Sequence, residues 1–215
     1  MRIRAALFAA ALLFCGPALA ANAPETVPPA SAPEVSPPTD KPEATPPATQ
    51  PEAPKSVAVQ LDELFLTLKT EKDEAVAKRA ETSIQRLWLE SGSDTIDLLM
   101  GWAIRAMTEK DYALALDYLD RITTQKPEFA EGWNKRATVY FLMEDYAKSI
   151  ADIQKTLALE PRHFGALSGL GMILSTLGEK IRAIDAYKQA LAVDPHLDKV
   201  REAMEELEKE TGRDI

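Results

Sequence analysis

The chain has 215 residues, a formal net charge of −9 and a mean hydropathy of −0.20. That length allows one domain or two small ones, and the charge argues against nucleic acid or an anionic lipid surface as partner. Its single cysteine, Cys15, excludes an internal disulfide and any metal site built from several thiolates.

The first twenty residues pair a short basic start, Arg2 and Arg4, with an apolar run from Ala5 to Phe14 and the small-residue ending "ALA". This is the pattern of a secretory signal peptide, with cleavage expected after Ala20. A retained membrane anchor is the competing reading, but the window is rich in alanine and holds Gly16 and Pro17. A lipoprotein leader is a second alternative, and Phe14 stands where it needs a small residue. Export would remove Cys15, leave no thiol and take the charge from −9 to −11. The protein is therefore expected in the periplasm, with no membrane insertion after cleavage.

Residues 21–56 form a linker in composition. Eleven of the fifteen prolines lie in 22–55, and the rest is mostly Ala, Glu, Thr and Ser. Such a segment has too little to bury to recover the entropy of ordering it, so it reads as a semi-extended tether. A ligand for a proline-recognising groove is the sharper alternative, but the prolines are irregularly spaced and lack flanking arginines.

Residues 57–95 suggest a helical pair. Leu61, Leu64, Phe65 and Leu68 mark one face of the first helix; Val76, Ala80, Ile84, Leu87 and Trp88 mark the second, and "ESGSD" ends it. Beyond it, Pro127, Pro161 and Pro195 recur every 34 residues. This divides the chain into units 96–129, 130–163 and 164–197, each with its proline at position 32. Position 4 holds Leu99, Trp133 and Leu167; position 8 holds Ala103, Ala137 and Gly171; position 20 holds Ala115, Ser149 and Ala183. Small side chains at 8 and 20 allow two helices to approach closely. The proline lacks an N–H and disfavours helix at the preceding residue, so it ends one helix pair before the next begins.

This spacing resembles the tetratricopeptide repeat. In the middle unit Trp133, Ala137, Tyr140, Tyr146 and Pro161 fall on its pattern, while Arg136, Ser149 and Thr156 depart from it and are expected to weaken packing locally. The resemblance implies an all-α fold, a right-handed α-solenoid of helix-turn-helix repeats. The chain would end in a capping helix over 198–215, where Val200, Ala203, Met204 and Leu207 face the core and Asp198, Arg201, Glu202, Glu205 and Glu208 face solvent.

No catalytic, cofactor-binding or metal-binding pattern stands out, so no enzyme activity and no cofactor is expected. His163 and His196 read as surface turn residues, and the acidic runs, including Glu205, Glu206, Glu208 and Glu210, as solvated faces. Trp88, Trp102 and Trp133 fall on core-type positions, and the "GLG" of residues 169–171 reads as close helix packing. Lys135 and Arg136 read as packed stems with solvated heads.

The resemblance further implies a concave groove for a partner peptide or helix. Its lining would be Met100, Ile104 and Thr108 from the first unit, Asn134, Thr138, Phe141 and Leu142 from the second, and Ser168, Met172 and Ser175 from the third. One subtype of the family clamps a C-terminal carboxylate with Lys and Asn; Met100 and Ile104 occupy those positions here. The leading expectation is a non-enzymatic adaptor resembling the exported tetratricopeptide proteins of Gram-negative bacteria. The alternative is a self-associating structural oligomer of the periplasm.

Overall fold

A computed structural model describes residues 56–212, so the leader expected over 1–20, all but the last residue of the linker expected over 21–56, and the final three residues of the capping segment lie outside the described residues. Nine helices and no strand make up the described part. They are α1 (Val57–Thr70), α2 (Glu74–Leu89), α3 (Asp94–Thr108), α4 (Tyr112–Gln125), α5 (Ala130–Leu142), α6 (Tyr146–Leu159), α7 (Phe164–Thr176), α8 (Lys180–Val193) and α9 (Asp198–Thr211). Helices α3 to α8 form three consecutive pairs, one in each 34-residue unit, and α9 covers the last.

The three prolines stand in the joints between pairs. Each follows the C-cap residue of the second helix, and turns close with Phe129 N–H donating to the Lys126 carbonyl and His163 N–H to the Glu160 carbonyl. Proline at the second position of such a turn is already in its required φ. Inside each pair the helices connect through a residue in the left-handed region: Lys110 (φ 62°), Glu144 (φ 61°) and Gly178 (φ 76°). At all three, two backbone bonds recover orphan carbonyls of the first helix, for example Lys110 to Met107 and Asp111 to Ala106. Asp111 and Asp145 then cap the second helix with their side chains. Lys110 and Glu144 hold a conformation that costs a side chain about 1 kcal/mol, which glycine avoids in the third pair.

Packing follows the small positions. Ala103, Ala115, Ala137 and Ala183 are buried, and a Cβ added to Gly171 would lie 2.3 Å from the Tyr187 ring. The departures in the middle unit do not weaken it in the expected way, because each polar group has a partner. Ser149 Oγ donates to the Ala137 carbonyl and Thr156 Oγ1 to the Asp152 carbonyl. Arg136 donates from Nε and Nη2 to both oxygens of Asp152, at 2.7 and 2.8 Å, and from Nη1 to Asp120 and Thr123. Its head is thus tied to α4 and α6, not solvated. Lys135 likewise pairs with Glu131 at 2.7 Å. Trp133 anchors the joint behind it, its Nε1–H donating to the Pro127 carbonyl.

At the C-terminus α9 lays Met204 and Leu207 on Ala183, Ala186 and Tyr187. Glu208 belongs to the covered side, 3% exposed and paired with Lys188 at 2.7 Å, so it is not part of the solvated face that its sequence context suggests. A residue on the margin of an apolar stripe turns inward when a neighbouring helix supplies a cation.

The α1–α2 hairpin does not precede the array as another stacked pair. Its core of Leu61, Phe65, Leu68, Ile84, Leu87 and Trp88 closes on Phe164, Val193 and Leu197, residues that flank the joints at Pro161 and Pro195. The hairpin lies across the edge where the second, third and last elements of the array meet. The bend that sends it there is short: Gly92 has φ 76°, and Asp97 Oδ1 accepts from the Ser91 N–H at 2.8 Å.

Candidate interaction groove and its N-terminal clasp

Between α5 and α7, over α6, runs an open groove of about 300 Å³. Asn134, Thr138, Phe141 and Leu142 of α5 face Ser168 and Met172 of α7, with Ala137, Ile153 and Ile173 at its floor. No charged side chain lines it. Leu142 and Met172 are nearly half exposed. The hydroxyl donors are spent on their own helices, Thr138 on the Asn134 carbonyl and Ser168 on the Phe164 carbonyl. Asn134 Nδ2 donates to Glu131, which leaves its amide oxygen as an acceptor. The groove therefore offers apolar contact and acceptors, with a methionine that adapts its shape to what lies against it.

Six of the ten residues expected in the groove line it. The first unit contributes nothing. Met100 is 2% exposed, held in a core with Leu99, Ala103, Leu119 and Val139, and Ile104 packs against the same cluster. Leu89, the last residue of α2, joins that cluster and helps enclose it. Thr108 is exposed and donates to the Ile104 carbonyl, and Ser175 is half-buried outside the lining. The groove is shorter than the repeat pattern implies, because Met100 and Ile104 are taken up by the α3–α4 core.

The hairpin walls the groove at one end. A second cleft, of about 260 Å³, brings Gln85, Trp88 and Leu89 of α2 against Glu131, Lys135 and His163, and it shares Asn134 and Gly165 with the groove. His163 is the centre of this wall and is 2% exposed, which corrects its reading as a surface residue. The indole of Trp88 stacks on its ring, centroids 4.0 Å apart and planes within 9°. Its Nδ1 accepts from the Ala166 N–H and so caps α7. That role assigns the ring hydrogen to Nε2, which donates to Glu131 at 2.9 Å. Burial would raise the Glu131 pKa, but the hydrogen bond from His163 and the charge of Lys135 outweigh it and hold the carboxyl below its usual value.

A neighbouring contact completes the clasp: Arg162 lies 4.3 Å over the Phe65 ring and pairs with Asp62 of α1 and with Glu160. His196, one joint further on, is only half-buried, its backbone N–H donating to Asp194. Of the three tryptophans, Trp88 is core, Trp133 is half-buried and Trp102 is 47% exposed, so Trp102 does not fill the core role expected of it. Among the described residues no cluster of three or more His, Cys, Asp or Glu is placed to hold a metal, and no helix is long and apolar enough to cross a membrane.

The comparisons agree with this architecture. A family model described as the tetratricopeptide repeat matches residues 130–163 and 165–197. A "TPR repeat-containing protein" of Rhizobium etli is 46% identical over 136 residues, which are 63% of this chain and 67% of that protein. The chain belongs to the tetratricopeptide repeat family.

Solved structures are similar at the level of the fold. The first such domain of Spaghetti (RPAP3), bound to the HSP90 peptide SRMEEVD, superposes with a TM-score of 0.53 at 18% identity, covering 54% of this chain and 93% of that one. The MamA protein superposes with a TM-score of 0.52 at 18% identity, covering 73% and 82%.

Proposed function

We propose that this protein is a non-enzymatic adaptor of the bacterial cell envelope, which holds a peptide or helix of a partner protein in the groove between α5 and α7. The observation that carries this reading is the uncharged apolar lining from Asn134 to Met172, open to solvent and walled by the clasp. Helix-lined grooves of this kind take an apolar face at helical spacing or an extended segment with alternate apolar side chains. The basic and apolar leader of residues 1–20 supports the envelope location.

The chemistry also states what the groove refuses. The RPAP3 domain is solved with an acidic peptide. Here a carboxylate in the groove would be desolvated with no cation among the lining residues to offset that cost. A peptide library displayed against the full chain should yield apolar or amphipathic sequences, and Met172→Glu should abolish their binding with helicity unchanged. SRMEEVD itself should show no saturable binding. Selection of acidic C-terminal peptides that survive Met172→Glu would refute the groove assignment.

A further inference from the structure

We propose that the joint after α8 is a proton-operated latch for the α1–α2 hairpin: Asp194 lets the hairpin dock firmly while its carboxyl carries a proton, and loosens it when the proton leaves.

The repeat makes Asp194 stand out. Position 31 of the unit, the residue before each joint proline, holds Lys126, Glu160 and Asp194. Lys126 pairs with Glu128 at 3.2 Å, and Glu160 pairs with Arg162 at 3.1 Å. Asp194 has no such ion pair among the described residues. It is 0% exposed, its Oδ1 accepts the His196 N–H at 2.9 Å, and its buried Oδ2 has no hydrogen-bond partner. An ionised carboxylate in this place carries its desolvation cost with one backbone N–H to offset it. A protonated carboxyl avoids most of that cost, and Oδ1 can still accept from His196.

The hairpin helps to enclose this group. Val193 and Leu197, on either side of Asp194 in the chain, pack on the hairpin core of Leu61, Phe65 and Ile84. From α2, Glu81 adds a like charge, and the cation next to it, Lys78, is already paired with Glu81 at 2.6 Å. From the joint, His196 acts through its backbone N–H and, when its ring is protonated, through its charge, while Arg201 of α9 donates to the Pro195 carbonyl. Glu74 and Asp198 line the same cleft between α2 and α9 as Lys78, Glu81, His196 and Arg201, so carboxylates outnumber permanent cations there. Burial raises the Asp194 pKa above the usual carboxylate value and Glu81 adds to the rise, which His196 and Lys78 oppose without cancelling.

A carboxyl whose pKa is raised by docking stabilises the docked hairpin fully below its undocked value, about 3.9, and that contribution is lost as pH rises through the docked value. Glu131, at the Pro161 joint, responds in the opposite sense, because its carboxyl is held below the usual value and stabilises the clasp when charged. The hairpin therefore grips both joints best between the two docked values. On the alkaline side it is the Pro195 joint that loosens. The far end of α2 walls the groove, so this loosening also bears on access to the groove; that consequence rests on the reading of the groove given above, and the latch does not.

Amide hydrogen exchange of the full chain from about pH 8 to about 3.5, corrected for intrinsic rates, tests the latch without any peptide, with Asp194→Asn as the permanently uncharged variant. At the alkaline end the α2 amides from Ala77 to Ile84 should be better protected in Asp194→Asn than in the wild type, roughly tenfold for each pH unit by which docking raises the carboxyl. The two proteins should converge as pH falls, and the amides of α5 and α6 should match throughout. Glu81→Gln removes the like charge and should give a smaller gain in the same amides, which provides the readout should Asp194→Asn lose helicity. The proposal is overturned if both substitutions leave α2 protection unchanged or lower it, if the gain persists undiminished into acid, or if α5 and α6 gain as much as α2.

Discussion

The joints at Pro161 and Pro195 are near copies in sequence, each an acidic residue, a proline and a histidine within four positions, yet only one of them is a structural centre. At the first, His163 is bonded on both ring nitrogens and stacked under Trp88. At the second, His196 is half-buried and takes part through its backbone, while Asp194 beside it is fully buried with one carboxylate oxygen unpartnered. The difference begins in register: His163 stands two residues after its proline and is the N-cap residue of α7, whereas His196 stands one residue after its proline and Leu197, packed against the α1–α2 core, takes the N-cap position of α9. A one-residue shift of the histidine decides which joint it can cap, and Trp88 of α2 then stacks on the one that does.

The largest expected effects remove the clasp. Trp88→Ala deletes a buried indole and should cost about 4 kcal/mol in denaturant unfolding. His163→Ala leaves the Glu131 carboxylate buried with one partner fewer and α7 without its side-chain cap, a loss of about 3 kcal/mol. His196→Ala should stay within about 0.5 kcal/mol of the wild type. Equal losses at the two histidines would erase the contrast between the joints.

Acid should reveal the same asymmetry. The Glu131 carboxyl titrates below its unfolded value, so its stabilisation is full above that value, roughly pH 4.3, and is lost as pH falls through the folded one. Urea midpoints of the wild type and Glu131→Gln, measured from pH 7 to 3, should therefore differ most at neutral pH and converge in acid. A constant gap would remove Glu131 from the account.

Overpacking probes the repeat itself. Gly171→Ala drives a methyl into the Tyr187 ring and should cost about 1–3 kcal/mol by thermal unfolding. The smallest effect has the opposite sign. Glu144→Gly relieves a left-handed side chain and should raise stability by at most about 1 kcal/mol, with the gain read from the same unfolding curves.

How much of this was legible follows from which forces are local. The 34-residue period placed the joints, and the small residues at positions 8 and 20 placed the close approaches, because both are set by neighbours within one unit. Non-glycine residues at the left-handed turns, Lys110 and Glu144, carried no such mark; the third unit shows the preference openly as Gly178. Six of the expected lining residues, from Asn134 to Met172, meet in one pocket where two repeats build it alone. Met100 lies instead in the core with Leu99, Ala103, Leu119 and Val139, and His163 was misread because nothing near it in the chain announces Trp88. Arg136 stood out as a departure, but its partners Asp120 and Asp152 lie sixteen residues away on either side, in two different helices.

The N-terminal hairpin crosses the joints, and among the described residues nothing covers Leu98 and Trp102 on the outer side of α3. Nuclear Overhauser contacts between the Trp88 indole and the His163 ring test it most directly. The account predicts strong cross-peaks with the His163 ring protons shifted upfield by the stacked indole, and none between Trp88 and Trp102. Cross-peaks from the α1–α2 side chains to Leu98 and Trp102, with an unshifted and solvent-exposed His163, would contradict it.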